Sequence, residues 1–460
     1  MTASRPRVAV IGAGPAGAFT ASLLRTRCDV EVDIFERLPT PWGLLRYGVA
    51  PDHTEIKTLA DRFEKETFGR GCRFIGNVEV GTDVSHAELT NHYTAVFYAT
   101  GAQHDRPLGL LGEERSGSLS AREFVFWYNG HPDYRDLHVD LSGERAVVVG
   151  NGNVAADVAR ILVRDPDELS CTDIAEHALH ALRHSAIREV VILGRRGPGQ
   201  AAFSHAALRE LSELAGVELC VDPADLALDA ASSRWLAEEA SFTARRNVEL
   251  LRHLADRRPE PGPDRRITLK FLRSPAALNG SDRIESLVVR RNEIGHVEAD
   301  RLRGWESVGE EETLDCSLIL RAVGYRSGPV SGLPFDEERC VLPNDRGRVM
   351  QDGATLVGVY AVGWLKRGPK GILGSNKRDA EETVTRFAAD LDSGILPIRP
   401  THSSSQLDQW VASRKPTSIT VEGWHAIDRY ERERGQAGNR PRLKLTSLSD
   451  LLATASGVVG

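Results

Sequence analysis

Cysteine is scarce in this sequence, and the few cysteines are far apart. Six occur in 460 residues, and no two of them form a Cys-x-x-Cys pair. This spacing excludes a sequence-adjacent dithiol centre and the usual ligand patterns of zinc and iron–sulfur sites. We therefore expect isolated buried thiols in a reducing cytoplasm, and no bound metal. The six are Cys28, Cys72, Cys171, Cys220, Cys316 and Cys340.

Long apolar runs and an excess of basic residues are also absent. No apolar stretch approaches the ~20 residues needed to cross a bilayer, so we expect no membrane span. A strand-like run begins at Arg7, and the short segment before it leaves no room for a signal or transit peptide. The net charge of −7 argues against a nucleic-acid-binding protein, which usually carries a basic balance.

A glycine-rich turn is present near the N-terminus, between a strand pattern and a helix pattern. Residues 8–11 are small and β-branched apolar residues, and a helical pattern follows to about residue 24. Gly12, Gly14 and Gly17 stand between them in the order G-x-G-x-x-G. Gly12 would permit the tight turn, Gly14 the approach of a pyrophosphate, and Gly17 the close packing of helix on strand.

The next strand pattern supplies the context that this motif needs. It covers residues 30–36 and ends in Glu36, which lies 19 residues after Gly17. A carboxylate at this position accepts hydrogen bonds from an adenosine ribose and would repel a 2′-phosphate. The alternative, an ordinary strand–turn–helix unit with chance glycines, would not require this acid. We therefore predict a dinucleotide that has no 2′-phosphate.

The same pattern recurs about 140 residues later in the chain. Gly150, Gly152 and Ala155 follow a strand pattern in the order G-x-G-x-x-A and open a second helix pattern. The strand after that helix ends in Arg195 and Arg196. Paired guanidinium groups suit a 2′-phosphate, although many Arg-Arg pairs are only solvated surface. The first motif is therefore predicted to bind FAD and the second NADP(H).

These patterns predict an α/β fold with two Rossmann-like, three-layer dinucleotide-binding domains, the second inserted into the first. A chain of 460 residues is long enough for both. The predicted FAD-binding domain covers residues 1–106 and 327–460, the latter including a C-terminal tail packed on it, and the predicted NADP(H)-binding domain covers 107–326. Within the second domain, the arginine-rich segment 206–273 is predicted to be helical.

Three further segments carry features of a ligand site. Residues 37–53 combine prolines, glycines and aromatics, which predicts a shaped loop that leads into a helix at 54–68. Thr100–Gly101 ends a buried strand, and such ends lie at the sheet edge where ligands bind. Gly363–Trp364 ends another strand before a glycine-rich turn and a helix to about residue 391. The amino end of that helix would favour negative charge on a reduced flavin.

The motifs resemble those of the adrenodoxin-reductase-type ferredoxin–NADP reductases, which are glutathione-reductase-like flavoproteins. Gly363–Trp364 stands where most two-dinucleotide flavoproteins have Gly-Asp, and this substitution is similar to that family. The resemblance extends from Arg7 to about Ala455 and implies FAD and NADP(H) on two Rossmann-like domains. Besides the glycine motifs, the segments that carry it are Pro-Trp-Gly-Leu-Leu-Arg-Tyr-Gly-Val-Ala-Pro-Asp-His at 41–53, Gly-Asn-Gly-Asn-Val-Ala-Ala-Asp-Val-Ala-Arg at 150–160, Gly-Arg-Arg-Gly-Pro at 194–198 and Val-Gly-Trp-Leu-Lys-Arg-Gly-Pro at 362–369.

The resemblance also implies roles for individual residues. His53 and Glu210 would form a polar pair beside the nicotinamide, and they are the predicted catalytic residues; without the resemblance, His53 could equally cap the helix after Pro51. The predicted cofactor-binding residues share the two glycine turns, the strand ends that follow them and the flavin-side loops. They are Gly12, Gly14, Pro15, Ala16, Gly17, Glu36, Gly43, Leu44, Leu45, Arg46, Val80, Thr100, Gly101, Gly150, Gly152, Asn153, Val154, Arg195, Arg196, Gly363, Trp364, Gly371 and Ile372.

The function implied by the resemblance is that of an FAD-containing ferredoxin–NADP⁺ reductase. Such an enzyme takes a hydride from NADPH onto FAD and passes electrons singly to a ferredoxin, with cytochrome P450s as one destination downstream. Two alternatives stay open. One is an NADPH-dependent flavoprotein subunit of a larger complex, similar to the small subunit of glutamate synthase; the other is a flavin monooxygenase or oxidase.

Ferredoxins are acidic, so this function needs a basic face in spite of the net charge of −7. The arginine-rich segment 234–266, with Arg245 and Arg246, is the candidate face, although most charged runs are only solvated surface. Lys370 departs from the family pattern, which has a small hydroxyl residue there, and its effect is left open. Ala207 also departs from it, since relatives often carry an acid at that position.

Overall fold

The computed structural model of the protein describes residues 5–256, 264–294, 305–371, 373–397 and 402–457. The strands are β1 Arg7–Ile11, β2 Glu31–Phe35, β3 Arg73–Ile75, β4 Ala95–Tyr98, β5 His104–Asp105, β6 Ser118–Ser120, β7 Arg145–Val149, β8 Glu189–Leu193, β9 Val217–Val221, β10 Arg265–Lys270, β11 Arg273–Asn279, β12 Ser286–Ile294, β13 Trp305–Asp315, β14 Leu318–Arg321, β15 Tyr325–Arg326, β16 Asn344–Asp345, β17 Arg348–Gln351 and β18 Ala354–Ala361.

The helices are α1 Pro15–Arg27, α2 Leu44–Tyr47, α3 Thr54–Lys57, α4 Leu59–Glu66, α5 His86–His92, α6 Ala121–Tyr128, α7 Asn153–Val163, α8 Pro166–Leu169, α9 Glu176–Arg183, α10 His205–Ser212, α11 Ala230–Glu238, α12 Phe242–Ala255, α13 Trp364–Arg367, α14 Leu373–Asp392, α15 Ser404–Arg414, α16 Val421–Ala437 and α17 Leu448–Ala455. The chain divides into two compact units. The first unit comprises Met1–Asp105 and Gly324–Gly460, and the second comprises Arg106–Val323.

The first unit is built on a seven-stranded sheet in the order β16-β17-β18-β4-β1-β2-β3. The strands from β18 to β3 pair in parallel, and β16 and β17 add an antiparallel edge. Val8 and Val10 of β1 enter one core cluster, whereas Ala9 and Ile11 enter another. Because both faces of β1 are covered, its sequence is a continuous apolar run without alternation.

The second unit contains a six-stranded parallel sheet in the order β6-β14-β7-β8-β10-β9. Ala146 and Val148 of β7 pack in a cluster with the helices of this unit. Val147 and Val149 pack in a different cluster, with residues of the antiparallel sheet β11-β12-β13 such as Leu287. The unit therefore has three layers, and one outer layer is a sheet. The predicted α/β class with parallel sheets is confirmed.

Several local predictions were wrong in their details. The segment 206–273 is not helical throughout, because the short strands β9 and β10 lie within it. The predicted helix at 54–68 is broken into α3 and α4 at Thr58, followed by a 3₁₀ turn at Phe68–Arg70. Residues 257–263, within the arginine-rich segment, lie outside the described residues.

The expectation that all six cysteines are buried is wrong. Cys171 is exposed in the loop after α8, and Cys28 and Cys220 are partly buried. Burial raises the pKa of the Cys72 and Cys316 thiols to about 12, so both are protonated at neutral pH. Among the described residues, no helix is both long and apolar enough to cross a bilayer.

Candidate functional site

The turn at residues 12–17 joins β1 to α1 in the first unit, and its three glycines have different surroundings. Gly12 has a φ of +102°, and a Cβ there would lie 2.6 Å from the Ala99 carbonyl oxygen. A Cβ on Gly17 would overlap the Gly12 carbonyl. At Gly14, by contrast, the nearest atom would be 3.9 Å away, in Gly43. Packing therefore requires Gly12 and Gly17, while Gly14 leaves the space that a pyrophosphate needs beside the backbone.

Glu36 contacts this turn directly. Its Oε2 accepts a hydrogen bond from the Ala13 amide at 2.8 Å, and its Oε1 accepts one from the Leu38 amide at 3.1 Å. Burial raises the pKa of Glu36, and the two amide donors oppose that rise. Each carboxylate oxygen has capacity for a further hydrogen bond. The predicted contact with an adenosine ribose stays a prediction.

The loop at residues 42–48 lies against the 12–17 turn. The Trp42 amide donates to the Ala13 carbonyl at 2.9 Å. Gly43 has a φ of +46°, and a Cβ there would lie 2.9 Å from Gly14 Cα. The structure thus brings together the predicted residues Gly43, Leu44, Leu45 and Arg46 with the first glycine turn.

Two other predicted segments meet the same turn. Thr100 and Gly101 follow β4, whose next residue, Ala99, lies against Gly12. A Cβ on Gly363 would lie 2.7 Å from the Ala16 Cβ. Val80 lies beyond β3 and forms an isolated bridge with Val84. Val80 also packs against the core cluster that contains Ile11, the last residue of β1 before the turn.

Trp364 opens the short helix α13. Its ring stacks on the ring of Tyr325, with centroids 5.6 Å apart. The indole Nε1 is buried and has no hydrogen-bond partner among the described residues. Gly371 has a φ of +90°, as a tight turn requires, and Lys370 beside it is exposed. Ile372 lies outside the described residues.

The second glycine turn joins β7 to α7 in the second unit. The Gly150 amide donates to the Leu193 carbonyl at 2.9 Å, and a Cβ on Gly152 would have its nearest neighbour 4.0 Å away. Asn153 opens α7, and its Oδ1 accepts a hydrogen bond from the Ser204 amide at 2.7 Å. Val154 follows in the first turn of α7. The space beside Gly152 and the amino end of α7, which has no side-chain cap, suit a phosphate.

Arg195 and Arg196 follow β8, next to this turn. Their backbone is fixed, since Asn292 Nδ2 donates to the Arg195 carbonyl at 2.9 Å and the Leu272 amide donates to the Arg196 carbonyl at 3.1 Å. Neither guanidinium has an acidic partner within the described ranges. Burial, together with the charge of Arg195, lowers the pKa of Arg196. Two cations held side by side in this way would gain from a dianionic ligand.

The chain is similar to known proteins in both sequence and fold. The sequence model of the pyridine nucleotide-disulphide oxidoreductases matches residues 6–191. The chain is 45% identical over 460 residues to the NADPH-ferredoxin reductase FprA of Mycobacterium tuberculosis, covering 98% of this chain and 99% of that protein. It is 42% identical over 476 residues to the mitochondrial NADPH:adrenodoxin oxidoreductase of Arabidopsis thaliana, covering 98% and 96%. The solved structure of Mycobacterium tuberculosis FprA in complex with NADPH has a TM-score of 0.91 and 44% identity, covering 99% of this chain and 100% of that one.

The chain belongs to the adrenodoxin-reductase-type ferredoxin–NADP reductases. The resemblance drawn from the motifs is thereby confirmed. The roles of the individual residues of this reductase remain predictions.

His53 and Glu210, the predicted catalytic residues of the reductase, lie in different units. His53 occupies the N-cap position of α3, but its side chain makes no capping hydrogen bond. The alternative, in which His53 caps the helix, is met by its position and not by a side-chain hydrogen bond. Glu210 lies on α10 in the second unit.

Sequence reasoning missed Arg160, which holds Glu210 in the reductase. Arg160 Nη1 donates to Glu210 Oε2 at 3.3 Å, and Arg160 Nη2 pairs with Asp157 Oδ1 at 2.9 Å. Arg160 is only 2% exposed. A signal was available, because Ala159 and Ile161 flank it on α7 and the helix is almost entirely buried. A charged residue inside such a helix needs a partner.

Proposed function

We propose that this reductase binds FAD in its first unit and NADP(H) in its second, takes a hydride from NADPH onto FAD, and passes electrons singly to a ferredoxin. The observation that carries the proposal is the contrast between the two glycine turns. The first has the carboxylate of Glu36 at the end of the next strand, bonded to the turn. The second has Arg195 and Arg196 there, with no acidic partner in the described part of the chain. Only the second can favour a 2′-phosphate.

The residues around the first turn suit FAD, both its isoalloxazine ring and its pyrophosphate. The open face of Gly14 and the amino end of α1 would receive the phosphates. The buried Nε1 of Trp364 is a donor that still needs an acceptor, and a ligand beside it could supply one. Loop 42–48 would pack on the ring system, and Gly371 would allow its close approach.

We assign orienting roles to the two predicted catalytic residues. Hydride transfer requires the nicotinamide to lie at about 3–3.5 Å from its acceptor in a dry slot. His53 and Glu210 would hold the nicotinamide amide or relay a proton. Arg160 would fix the direction of the Glu210 carboxylate, because its Nη1 lies 3.3 Å from Glu210 Oε2.

The proposed partner is an acidic ferredoxin, with a cytochrome P450 as one downstream acceptor, in the cytoplasm. On α12, Arg245 Nε donates to the Leu236 carbonyl at 2.9 Å, and the Arg246 guanidinium lies 5.7 Å from the centre of the Phe242 ring. Phe242 is 75% exposed. An exposed aromatic ring flanked by arginines is typical of a protein-binding surface.

A spectroscopic assay tests the proposal. The purified protein is expected to be yellow, to bleach faster with NADPH than with NADH, and to reduce cytochrome c only when a ferredoxin is added. A colourless protein that takes up no FAD would contradict the cofactor assignment. Reduction of cytochrome c at the same rate without ferredoxin would contradict the assignment of the partner.

A further inference from the structure

The loop at residues 42–48 is held from its far side by a segment near the C-terminus. Arg46 Nη2 donates to Glu431 Oε1 at 2.6 Å, across 385 residues of sequence. The two side chains are only 4% and 0% exposed. The Arg46 guanidinium also lies over the ring of Trp424, 5.6 Å from its centre. The side chain of Arg46 is thus anchored in the interior of the first unit, and its backbone belongs to the loop that lies against the 12–17 turn.

Glu431 is the centre of this anchor. Besides Arg46, it accepts a hydrogen bond from Arg442 Nη1 at 3.1 Å and one from the Leu445 amide at 2.8 Å. Lys444 Nζ donates to the Arg46 carbonyl at 3.1 Å, so both the side chain and the backbone of Arg46 are held by the same segment. A buried ion pair is costly to form, and removing one partner leaves the other charge buried without compensation.

The geometry of the segment depends on one glycine. After α16, the chain folds back across the helix, and a Cβ on Gly435 would lie 2.5 Å from Arg442 Cα. The Leu443 amide donates to the Glu431 carbonyl at 2.8 Å, and this hydrogen bond fixes the segment that follows α16 against the helix. Arg442, Lys444 and Leu445 are thereby presented to Glu431 and Arg46 together.

We infer that residues 421–445 help to form the flavin site. Glu431 is the positioning residue in this segment, because it holds loop 42–48 against the 12–17 turn through Arg46. This inference rests on the proposed function, because it takes the loop to contact FAD. His53 follows the same loop after α2, so a displaced loop would also shift His53. Loss of the Glu431 carboxylate is expected to loosen FAD binding more than it loosens the fold.

The test compares Glu431→Gln with Asp390→Asn. Asp390 in the same unit is a matched control, because its buried carboxylate also pairs with an arginine, Arg348 at 2.6 Å, and with the Tyr360 hydroxyl at 2.6 Å, and neither partner belongs to loop 42–48. The readouts are the rate of FAD release from the holoenzyme after dilution, followed by the recovery of flavin fluorescence, and the unfolding temperature of the apoprotein. E431Q is expected to release FAD at least about tenfold faster than the wild type. D390N is expected to lower the unfolding temperature without that acceleration.

If E431Q does not fold, Arg46→Lys gives the same test, since lysine keeps the positive charge but lacks the planar guanidinium group that donates several hydrogen bonds in fixed directions. Release of FAD at the wild-type rate by the variant that folds would overturn the inference. Equal acceleration by D390N would also overturn it, because the effect would then follow general stability. Failure of the wild-type protein itself to bind FAD would instead contradict the proposed function.

Discussion

At the scale of single residues, we propose that the choice of nicotinamide cofactor depends on Arg195 and Arg196, the two arginines that follow β8. Their guanidinium groups have no acidic partner among the described residues, and the neighbouring charge together with burial lowers the pKa of Arg196. Such an arrangement is unfavourable without a ligand and becomes favourable when a dianion binds. Glu36 at the first turn has the opposite effect, because its charge would repel the same phosphate.

We expect Arg196→Gln to raise the KM for NADPH and leave the KM for NADH nearly unchanged. A charge-assisted hydrogen bond contributes about 1.5–3 kcal/mol, so the KM for NADPH should rise roughly 10–100-fold. Steady-state ferricyanide reduction with each cofactor measures this ratio. Arg188→Gln is the control, since Arg188 is an exposed arginine just before the other end of β8. A similar rise in both KM values would show that Arg196 does not contact the 2′-phosphate.

At the scale of secondary-structure elements, the sequence predicts the glycine turns well, because local sterics determine them. Gly17 is close to Gly12 in the sequence. Ala99, which lies against Gly12, follows β4, and β4 pairs with β1. The contact of Arg46 with Glu431 was not foreseen at all, because nothing local marks two residues 385 positions apart as partners.

The element that we assign to partner docking is α12. We expect the double variant Arg245→Glu, Arg246→Glu to raise the KM for ferredoxin about tenfold, because the acidic partner would meet repulsion in place of attraction. Ferricyanide reduction should be unchanged, since that small acceptor needs no docking face. Arg183→Glu on α9 is the control for a general change in charge. An unchanged KM for ferredoxin would remove α12 from the docking face.

At the scale of the whole molecule, buried carboxylates with shifted pKa values link stability to pH. Burial alone would raise the pKa of Glu431, but Arg46 and Arg442 outweigh it and hold the pKa below its ordinary value. Hydrogen bonds from Arg348 and Tyr360 likewise outweigh burial and lower the pKa of Asp390. For Asp33 and Glu36, burial prevails and the pKa is raised.

The two groups of carboxylates act in opposite directions as the pH falls. A carboxyl with a raised pKa destabilises the fold at neutral pH, and this effect disappears as the pH falls through the raised value. A carboxyl with a lowered pKa stabilises the fold fully above its unfolded value, about 4.3 for glutamate, and this contribution is lost as the pH falls through the lower, folded value. The stabilisation from Glu431 is therefore fully present at neutral pH, and its loss is confined to the range below about pH 4.3.

We expect Glu431→Gln to be less stable than the wild type at pH 7, and the difference between their unfolding temperatures to shrink below about pH 4. The wild type loses the stabilisation from ionised Glu431 as the acid range is entered, whereas glutamine has no charge to lose. Thermal unfolding of both proteins with saturating FAD, measured from pH 7 to about pH 3, gives the difference curve. Glu433→Gln, an exposed position on the same helix, should follow the wild type at every pH. A difference between E431Q and the wild type that stays constant across this range would mean that the buried pair does not govern the acid stability of the molecule.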